Sequence, residues 1–430
     1  MKFSTSFGSP ATGLRRRGIL SGSAATGRHR LGNLTQLFVV AAIGLVVAGL
    51  LSACELVTID FVYVAAMGDS GGNGAIQIFA ADSQSGALRT GVAGSDSGGP
   101  TPVAMAVSAD YENLYVANQG NDSVVHFAIN TDGTLSNKDS VTLPEPPASV
   151  AVNAAGTYLF VASGTTTSTL TVYSLSKGTI GSVVAQEALA IPGYGTDTVI
   201  PTGVTALANN NAVYVTVYDR SAYNPGGTVT SNANPGWLFG FEVGSGGALT
   251  PVIGNPYRAG VKPTSLVGDP TSRFIYVTDY ASNGLIGYTV LSNGSLSFLI
   301  NGPFKTGAEP AAIAVDPRGK YLYVANSLDS TVSAYIIDLA TGTPSAAVNV
   351  SGASINATDT QPVSIVVDPA LGRYVYTANQ LGNSISGFRL DPNAGSLKAA
   401  QATPYPTKEP RPTAIVSIPH GNHATQSVTP

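Results

Sequence analysis

Apolar and polar positions alternate in short stretches along most of the chain, and turn-forming residues separate these stretches. Residues 310–325 show the pattern: the stretch PAAIAV is followed by DPRGK and then by YLYVA. Alternation with a period of two is typical of half-buried β-strands, and Asp-Pro-x-Gly is typical of a tight turn. The pattern therefore predicts an all-β protein with short strands joined by tight turns.

Two motifs recur seven times each. The first is an aromatic residue followed by a β-branched residue and then Ala or Thr, at Tyr63, Tyr115, Phe160, Tyr214, Tyr276, Tyr323 and Tyr376. The second is a proline that opens an apolar alternation, at Pro102, Pro147, Pro201, Pro263, Pro310, Pro362 and Pro412. The mean period is about 52 residues, close to the ~40–50 residues of propeller repeats. This period predicts a propeller with one repeat for each blade.

The two motifs are offset by one strand. Tyr63 has no proline-initiated strand before it, and the strand from Pro412 to Ile418 has no aromatic motif after it. We expect this last strand to complete the first blade and close the ring, because closure leaves no open sheet edge. The prediction is a seven-bladed β-propeller of four-stranded blades over residues 61–418. In the sixth repeat we expect strands at 311–315, 321–325, 331–337 and 346–350.

The first 53 residues have the composition of an export signal. They hold six basic and no acidic side chains, and the stretch from Leu37 to Ala53 is apolar and uncharged. The sequence Leu51-Ser52-Ala53-Cys54 resembles the lipobox of bacterial lipoproteins, in which the cysteine is acylated. Cys54 is the only cysteine of the chain, so we predict lipid attachment there. An uncleaved membrane-spanning anchor is the alternative, since this apolar stretch is at the lower limit for spanning a bilayer.

These features divide the chain into a signal peptide (1–53), an anchor and short linker (54–60), the propeller (61–418) and a disordered tail (419–430). We expect an exported lipoprotein that is held at the membrane through Cys54. Outside the signal the chain carries 15 basic and 25 acidic side chains. An acidic body without a basic stripe argues against nucleic-acid binding.

The repeats Tyr-Val-Ala/Thr-Asn and Pro-x-x-Ile-Ala-Val-Asp-Pro-x-Gly-Lys-Tyr-Leu-Tyr resemble YVTN-type β-propeller repeats and the bacterial lactonase family of the 6-phosphogluconolactonase kind. The resemblance covers roughly residues 60–418. It implies a seven-bladed ring and a site with His, Arg and Glu at the central face. The residues before the seven prolines include no histidine: they are Thr101, Pro146, Ile200, Lys262, Glu309, Gln361 and Arg411. The resemblance therefore extends to the architecture and not to this catalytic set.

Four of these positions are polar and fall on consecutive blades. Lys262, Glu309, Gln361 and Arg411 occupy equivalent positions on blades five, six, seven and one, so we expect a polar arc around the central channel. Lactone hydrolysis needs a base for water and cationic or hydrogen-bonding groups for the oxyanion. Glu309, Lys262 and Arg411 are thus candidate catalytic residues, and Gln361 is a candidate ligand-binding residue. A solvated rim without function is the alternative.

The sequence offers less chemical support for the other candidate residues. The long loop from Tyr218 to Pro235 is expected to overhang the same face, where Asp219, Arg220 and Tyr223 are candidate ligand contacts; an insertion without function is equally compatible. His126 lies within a strand, where we expect an exposed or hydrogen-bonded structural side chain. The sequence has no metal-binding or nucleotide-binding motif, so we predict neither a metal nor a cofactor.

A propeller hosts many functions, so activity has to be argued from a site. The sequence favours a monomeric, non-catalytic binding or scaffolding module at the cell envelope that presents its loop face to a protein or a glycan. The alternative is a sugar-lactone hydrolase of the lactonase type. Whether the chain is an enzyme stays open at this point.

Overall fold

A computed structural model of the protein describes residues 57–68, 72–191, 199–220, 236–349 and 351–421. The described strands form seven antiparallel sheets, each of which is one blade of a ring. The predicted all-β, seven-bladed propeller is confirmed. The proposed signal, Cys54 and Tyr223 lie outside the described residues, as do residues 422–430 of the predicted tail.

Each blade has an inner strand at the central channel, and further strands follow towards the outside. In order from blade 1 to blade 7, the inner strands are Pro412–Pro419, Pro102–Val107, Pro147–Val152, Val199–Ala206, Pro263–Gly268, Pro310–Val315 and Pro362–Val367. The second strands are Thr58–Ala66, Asn113–Asn118, Tyr158–Ser163, Ala212–Asp219, Phe274–Asp279, Tyr321–Asn326 and Tyr374–Asn379. The third strands are Ala75–Asp82, Ser123–Ile129, Thr169–Ser176, Gly236–Val243, Gly284–Val290, Thr331–Ile337 and Ser384–Leu390.

The outer strand is continuous in blades 2 and 3, at Leu135–Thr142 and Thr179–Ala188. In the other five described blades it is broken into two short pieces: Leu88–Arg89 and Ser95–Asp96, Leu249–Pro251 and Tyr257–Arg258, Leu296–Phe298 and Phe304–Lys305, Pro344–Ala346 and Ile355–Ala357, and Leu397–Ala399 and Tyr405–Pro406. The described residues include two short 3-10 helices, Gln119–Asn121 and Ser245–Gly247. No helix among them is long and apolar enough to cross a membrane.

The ring is closed by the C-terminal strand, as predicted. This strand pairs antiparallel with the first strand of the chain, and Tyr63 lies opposite Val416 while Phe61 lies opposite Ile418. Each inner strand contacts the inner strands of the two neighbouring blades, including the last and the first. The ring of blades is therefore continuous around the channel.

The motif aromatics fill the space between blades, and most of them also carry a hydrogen bond. Six of the seven, all within the described residues, are tyrosines whose hydroxyl donates to the carbonyl of a turn glycine in the next blade, at 2.6–2.9 Å. The pairs are Tyr63–Gly133, Tyr115–Gly178, Tyr214–Gly294, Tyr276–Gly342, Tyr323–Gly395 and Tyr376–Gly86. Blade 3 has Phe160 instead. A buried tyrosine hydroxyl needs a hydrogen-bond partner. The motif aromatics therefore contribute both to the packing between blades and to the hydrogen bonds that join them.

The Asp-Pro turns between inner and second strands are held by the aspartate. The fully buried Asp316 accepts the backbone N–H groups of Lys320 at 2.7 Å and of Tyr321 at 2.8 Å. Asp269 and Asp368 cap the equivalent turns of blades 5 and 7. A carboxylate that accepts several backbone donors fixes a turn strongly, which explains why this dipeptide recurs.

Candidate functional site

The residues that precede the inner-strand prolines lie at one end of the channel, which we call the channel mouth. Adjacent inner strands are in contact, so these residues follow one another around the mouth. Lys262, Glu309, Gln361 and Arg411 therefore stand in one row on blades 5, 6, 7 and 1, and we call this row the polar arc. Lys262, Glu309 and Gln361 are partly buried, and Arg411 is exposed.

Three members of the arc adopt an unusual backbone conformation. The φ angles of Glu309, Gln361 and Arg411 are 55°, 60° and 54°, in the left-handed region. A non-glycine residue there costs about 1–2 kcal/mol, and a residue before proline is normally extended. Thr101, the equivalent residue of blade 2, has a φ of 54°, so this conformation also occurs at this repeat position outside the arc. Such a conformation persists only where the surroundings hold it.

The loops between second and third strands hold the arc from both sides. Three arc N–H groups donate to side chains of the preceding blade: Glu309 to Asn283 Oδ1 at 2.8 Å, Gln361 to Ser330 Oγ at 3.2 Å and Arg411 to Asn383 Oδ1 at 2.8 Å. The N–H of Lys262 instead donates to Asp279 Oδ1 of its own blade at 2.9 Å. The arc carbonyls accept N–H groups of their own blade: Tyr280 to Lys262, Ser327 to Glu309, Gln380 to Gln361 and Met67 to Arg411, at 2.8–3.1 Å. The backbone positions of the arc are thus fixed by the fold itself.

Lys262, Tyr280 and Glu309 form a connected cluster across blades 5 and 6. The Tyr280 hydroxyl donates to Glu309 Oε2 at 2.6 Å. The Lys262 ammonium lies 4.6 Å from the centre of the Tyr280 ring and 5.6 Å from the centre of the Tyr218 ring. An ammonium at these distances is attracted by the ring faces, so the two tyrosines position the cation beside the carboxylate.

The surroundings of Lys262 change the pKa of its ammonium group. Burial lowers the pKa of Lys262, and the negative charge of Glu309 opposes that shift. The cluster therefore joins a carboxylate, a phenol that fixes one of its oxygens, and a partly desolvated ammonium. These are the group types that general-base activation of water and oxyanion stabilisation require.

The other half of the arc offers hydrogen-bonding groups. Gln361 Oε1 is buried and has no hydrogen-bond partner among the residues that the structure describes. An unpaired buried acceptor is costly unless a donor reaches it, so it suits a hydroxyl or amide of a ligand. A guanidinium nitrogen of Arg411 donates to the carbonyl of Gly68 at 3.2 Å, which holds the side chain at the mouth.

The remaining candidate residues from the sequence differ in their burial and in their contacts. Asp219 ends the second strand of blade 4 and is buried, with 2% of its surface exposed, whereas Arg220 is exposed. Tyr218, which was not a candidate, lies among the described residues of this segment, and the centre of its ring is 5.6 Å from the Lys262 ammonium. His126 is buried and bonded at both nitrogens, to Asp139 Oδ2 and to Asn113 Oδ1 at 2.9 Å each. His126 thus has the structural role expected of it.

Sequence reasoning missed the residues that build the arc. Tyr280 follows the second strand of blade 5, and Asn283, Ser330 and Asn383 hold the arc N–H groups. The last three lie seven residues after the motif aromatics of blades 5, 6 and 7. A polar residue seven positions after the motif aromatic is visible in the sequence repeat and could have identified these three residues. Within the described ranges, no group of three or more His, Cys, Asp and Glu residues is arranged to hold a metal ion.

A family model with the description "Lactonase, 7-bladed beta-propeller" matches residues 94–193 and 202–418. Comparison with curated proteins gives no match. Among solved structures, the periplasmic gluconolactonase PpgL of Pseudomonas aeruginosa is 18% identical with a TM-score of 0.68, over 84% of this chain and 99% of that one. A putative 6-phosphogluconolactonase of Bacteroides uniformis is 17% identical with a TM-score of 0.68, over 84% of this chain and 100% of that one. At these identities the likeness concerns the fold.

Proposed function

We propose, because this chain belongs to the seven-bladed β-propeller lactonase family, that it hydrolyses a sugar lactone at the polar arc. The observation that carries the proposal is the cluster of Lys262, Tyr280 and Glu309 at the channel mouth. The gluconolactonase names of the structural relatives point to the same substrate class. This function replaces non-catalytic binding as the interpretation that we favour.

In the proposed reaction, Glu309 removes a proton from a water molecule, and the water oxygen forms a bond to the lactone carbonyl carbon. The resulting oxyanion is stabilised by the Lys262 ammonium. The bond between the carbonyl carbon and the ring oxygen then breaks, and the proton held by Glu309 passes to that ring oxygen. Tyr280 acts as a positioning residue, because its hydroxyl fixes one oxygen of Glu309 and leaves the carboxylate with further acceptor capacity.

The remaining arc residues bind the substrate in this proposal. Gln361 Oε1 accepts a hydrogen bond from a sugar hydroxyl, which relieves its unpaired state. Arg411 carries a positive charge at the far end of the arc and suits an anionic substituent. A polyhydroxylated lactone offers donors for Gln361 along its length.

The test is hydrolysis of glucono-δ-lactone and 6-phosphogluconolactone by the purified protein, followed by acid release in weakly buffered indicator solution. We expect turnover above the uncatalysed rate, a loss of about 10²–10⁴-fold in kcat for Glu309→Gln and of about 10²–10³-fold for Lys262→Met. Glu242→Gln and Lys398→Met remove exposed charges from blades 4 and 7, outside the arc, and serve as matched controls. Turnover that survives both arc substitutions would place the chemistry elsewhere, and no turnover on either lactone would refute the proposal.

A second candidate is binding without turnover of a glycan or a protein at the cell envelope. The unpaired acceptor of Gln361 favours it, because a glycan hydroxyl satisfies that acceptor as well as a lactone hydroxyl does. The two candidates differ in outcome: glycan binding measured by calorimetry that Gln361→Ala weakens, together with no lactone turnover, supports this one.

We also propose that the protein is exported and attached to a membrane through lipid on Cys54. The support is the basic and then apolar N-terminal sequence that ends in Leu51-Ser52-Ala53-Cys54. The relative from Pseudomonas aeruginosa is described as periplasmic. Cys54→Ser is expected to move the protein from the membrane fraction to the soluble fraction, and an unchanged distribution would refute lipid attachment.

A further inference from the structure

Two leucines are exposed beside the polar arc. Leu328 and Leu381 have 66% and 63% of their surface in contact with solvent. Each lies two residues after the second strand, on blades 6 and 7. The equivalent positions of blades 2 and 5 hold Gly120 and Ala281. A large apolar side chain thus occurs at this position on blades 6 and 7, and a small residue occurs there on blades 2 and 5.

The backbone of the Leu328 loop is bonded to two arc residues. Ser327, just before the leucine, donates its N–H to the carbonyl of Glu309 at 2.9 Å. Ser330, two residues after it, accepts the N–H of Gln361 at 3.2 Å through its hydroxyl. Leu328 is thus anchored between Glu309 and Gln361.

The Leu381 loop repeats this arrangement one blade further on. Gln380 donates its N–H to the carbonyl of Gln361 at 2.8 Å, and Gly382 donates to the carbonyl of Thr360 at 3.0 Å. Asn383 accepts the N–H of Arg411 at 2.8 Å. Leu381 is anchored between Gln361 and Arg411, so the two leucines border the same stretch of the arc.

We propose that the lactone taken by the arc carries an apolar substituent that packs on Leu328 and Leu381 while its carbonyl lies at Lys262 and Glu309. This inference rests on the proposed lactonase function and specifies its substrate class. Single exposed leucines are common on protein surfaces. Here, however, two occupy equivalent positions on adjacent blades, in loops that are both hydrogen-bonded to Gln361, the residue with the unpaired acceptor. A polar head in the arc and an apolar group over the leucines together define an amphiphilic lactone.

The test is a chain-length series on the purified protein: γ-butyrolactone, γ-hexalactone, γ-octalactone and γ-decalactone, with glucono-δ-lactone as a substrate without an alkyl chain. Covering a methylene group is worth about fourfold in an equilibrium constant at full burial. On a half-open surface we expect kcat/KM to rise about two- to fourfold for each added methylene until the leucines are covered. The quantity to follow is the ratio of kcat/KM for the longest and the shortest chain.

Leu328→Ser and Leu381→Ser are expected to lower that ratio about threefold or more each, and Leu328→Met is expected to retain it. The control is Leu291→Ser. Leu291 is 48% exposed but lies just past the far end of the third strand of blade 5, away from the mouth. It should leave the ratio unchanged.

The outcomes separate the two proposals. If none of the lactones is hydrolysed, the proposed function fails, and this inference fails with it. If the unsubstituted lactones are hydrolysed and chain length has no effect, the lactonase function stands and the apolar subsite is refuted. A chain-length effect that neither serine substitution reduces also refutes the subsite, because the chain then binds elsewhere.

Discussion

The buried acid pair of Asp60 and Asp368 gives the sharpest prediction about stability. Both side chains are completely buried, where blade 1 packs against blade 7. Asp368 accepts backbone N–H groups of Ala370, Leu371 and Arg373 at 2.8–3.2 Å. Neither oxygen of Asp60 receives a hydrogen bond from the described residues. The three donors hold the Asp368 carboxylate in place, and its charge opposes ionisation of Asp60, so the proton of the pair belongs on Asp60.

Burial raises the pKa of Asp60 well above its usual value, and the charge of Asp368 raises it further. The folded protein therefore holds a proton that the unfolded chain releases above its ordinary pKa of 3.8. It follows that stability from this pair is complete below that pH and falls as the pH rises towards the folded pKa. The aromatic groups that face the pair are Tyr111 and Tyr376, which are neutral throughout this range.

Asp60→Asn replaces the protonated carboxyl with an amide that donates to Asp368 at every pH. An uncompensated buried charge costs about 3–5 kcal/mol, and we expect the substitution to recover about 1–3 kcal/mol of this at pH 8. With about 2 cal/mol/K for each residue in the unfolding entropy, a ring of this size gains roughly 1–2 °C in Tm per kcal/mol. Urea denaturation from pH 5 to pH 8 measures the free energy of unfolding. We expect this free energy to fall with pH in the wild type and to stay flatter in Asp60→Asn.

The control is Asp316→Asn, at the turn position of blade 6 that is equivalent to Asp368. There the carboxylate is paired with Arg318, with 2.7 Å between Nε and Oδ2. It should lower stability without flattening the pH dependence. If Asp60→Asn leaves the slope against pH unchanged, Asp60 does not hold the proton in the folded state, and the reasoning is wrong.

Three further predictions follow from single contacts. Tyr376→Phe removes the 2.9 Å hydrogen bond to the Gly86 carbonyl and should lower the free energy of unfolding by about 1–2 kcal/mol, measured in urea. Asp316→Ala leaves its buried turn donors without an acceptor and should cost about 2–4 kcal/mol in the same assay. Tyr280→Phe removes the 2.6 Å hydrogen bond to Glu309, so kcat should fall about tenfold while KM and the free energy of unfolding change little.

Each of these has a result that would contradict it. Phe160→Tyr is the comparison for the tyrosine bond, because blade 3 lacks the hydroxyl by nature. If Tyr376→Phe is neutral, the bond to the next blade contributes nothing net. A small loss in Asp316→Ala would mean that water replaces the carboxylate. An unchanged kcat in Tyr280→Phe would mean that the tyrosine does not position the base.

The fold was predictable because the strands that define it are buried and repeat. Tyr323 and its neighbours Val324 and Ala325 are fully buried, and similar residues recur at the corresponding positions of each blade. The outer strands were not predictable to the same degree. In blade 6 the prediction was 346–350, whereas the strand pieces are Pro344–Ala346 and Ile355–Ala357. An outer strand has one paired neighbour and one free edge, so burial imposes little pattern on its sequence.

The placement of the arc residues around the mouth was predictable, but the side chains that contact them in the candidate site were not. The register of the prolines located Lys262, Glu309, Gln361 and Arg411, because equivalent residues of a closed ring meet at one mouth. It did not identify Tyr280, whose hydroxyl connects two blades through a side chain rather than through the repeat. Contacts of this kind depend on the length and orientation of individual side chains, which the period of the repeat does not specify.

The arc lies at the position of the repeat where the fold least constrains the residue type. The fold requires the proline that opens an inner strand and the aromatic of the second strand, and both recur with little change. The residue before the proline is not constrained in this way. On blades 2, 3 and 4 it is Thr101, Pro146 and Ile200, and on blades 5, 6, 7 and 1 it is charged or an amide. In a ring whose blades are otherwise equivalent, chemistry has to come from such a departure from symmetry. The left-handed backbone is shared by Thr101 of blade 2, so it is not what distinguishes this sector. The charged side chains and the unpaired acceptor of Gln361 do distinguish it, and they all lie on one side of the mouth.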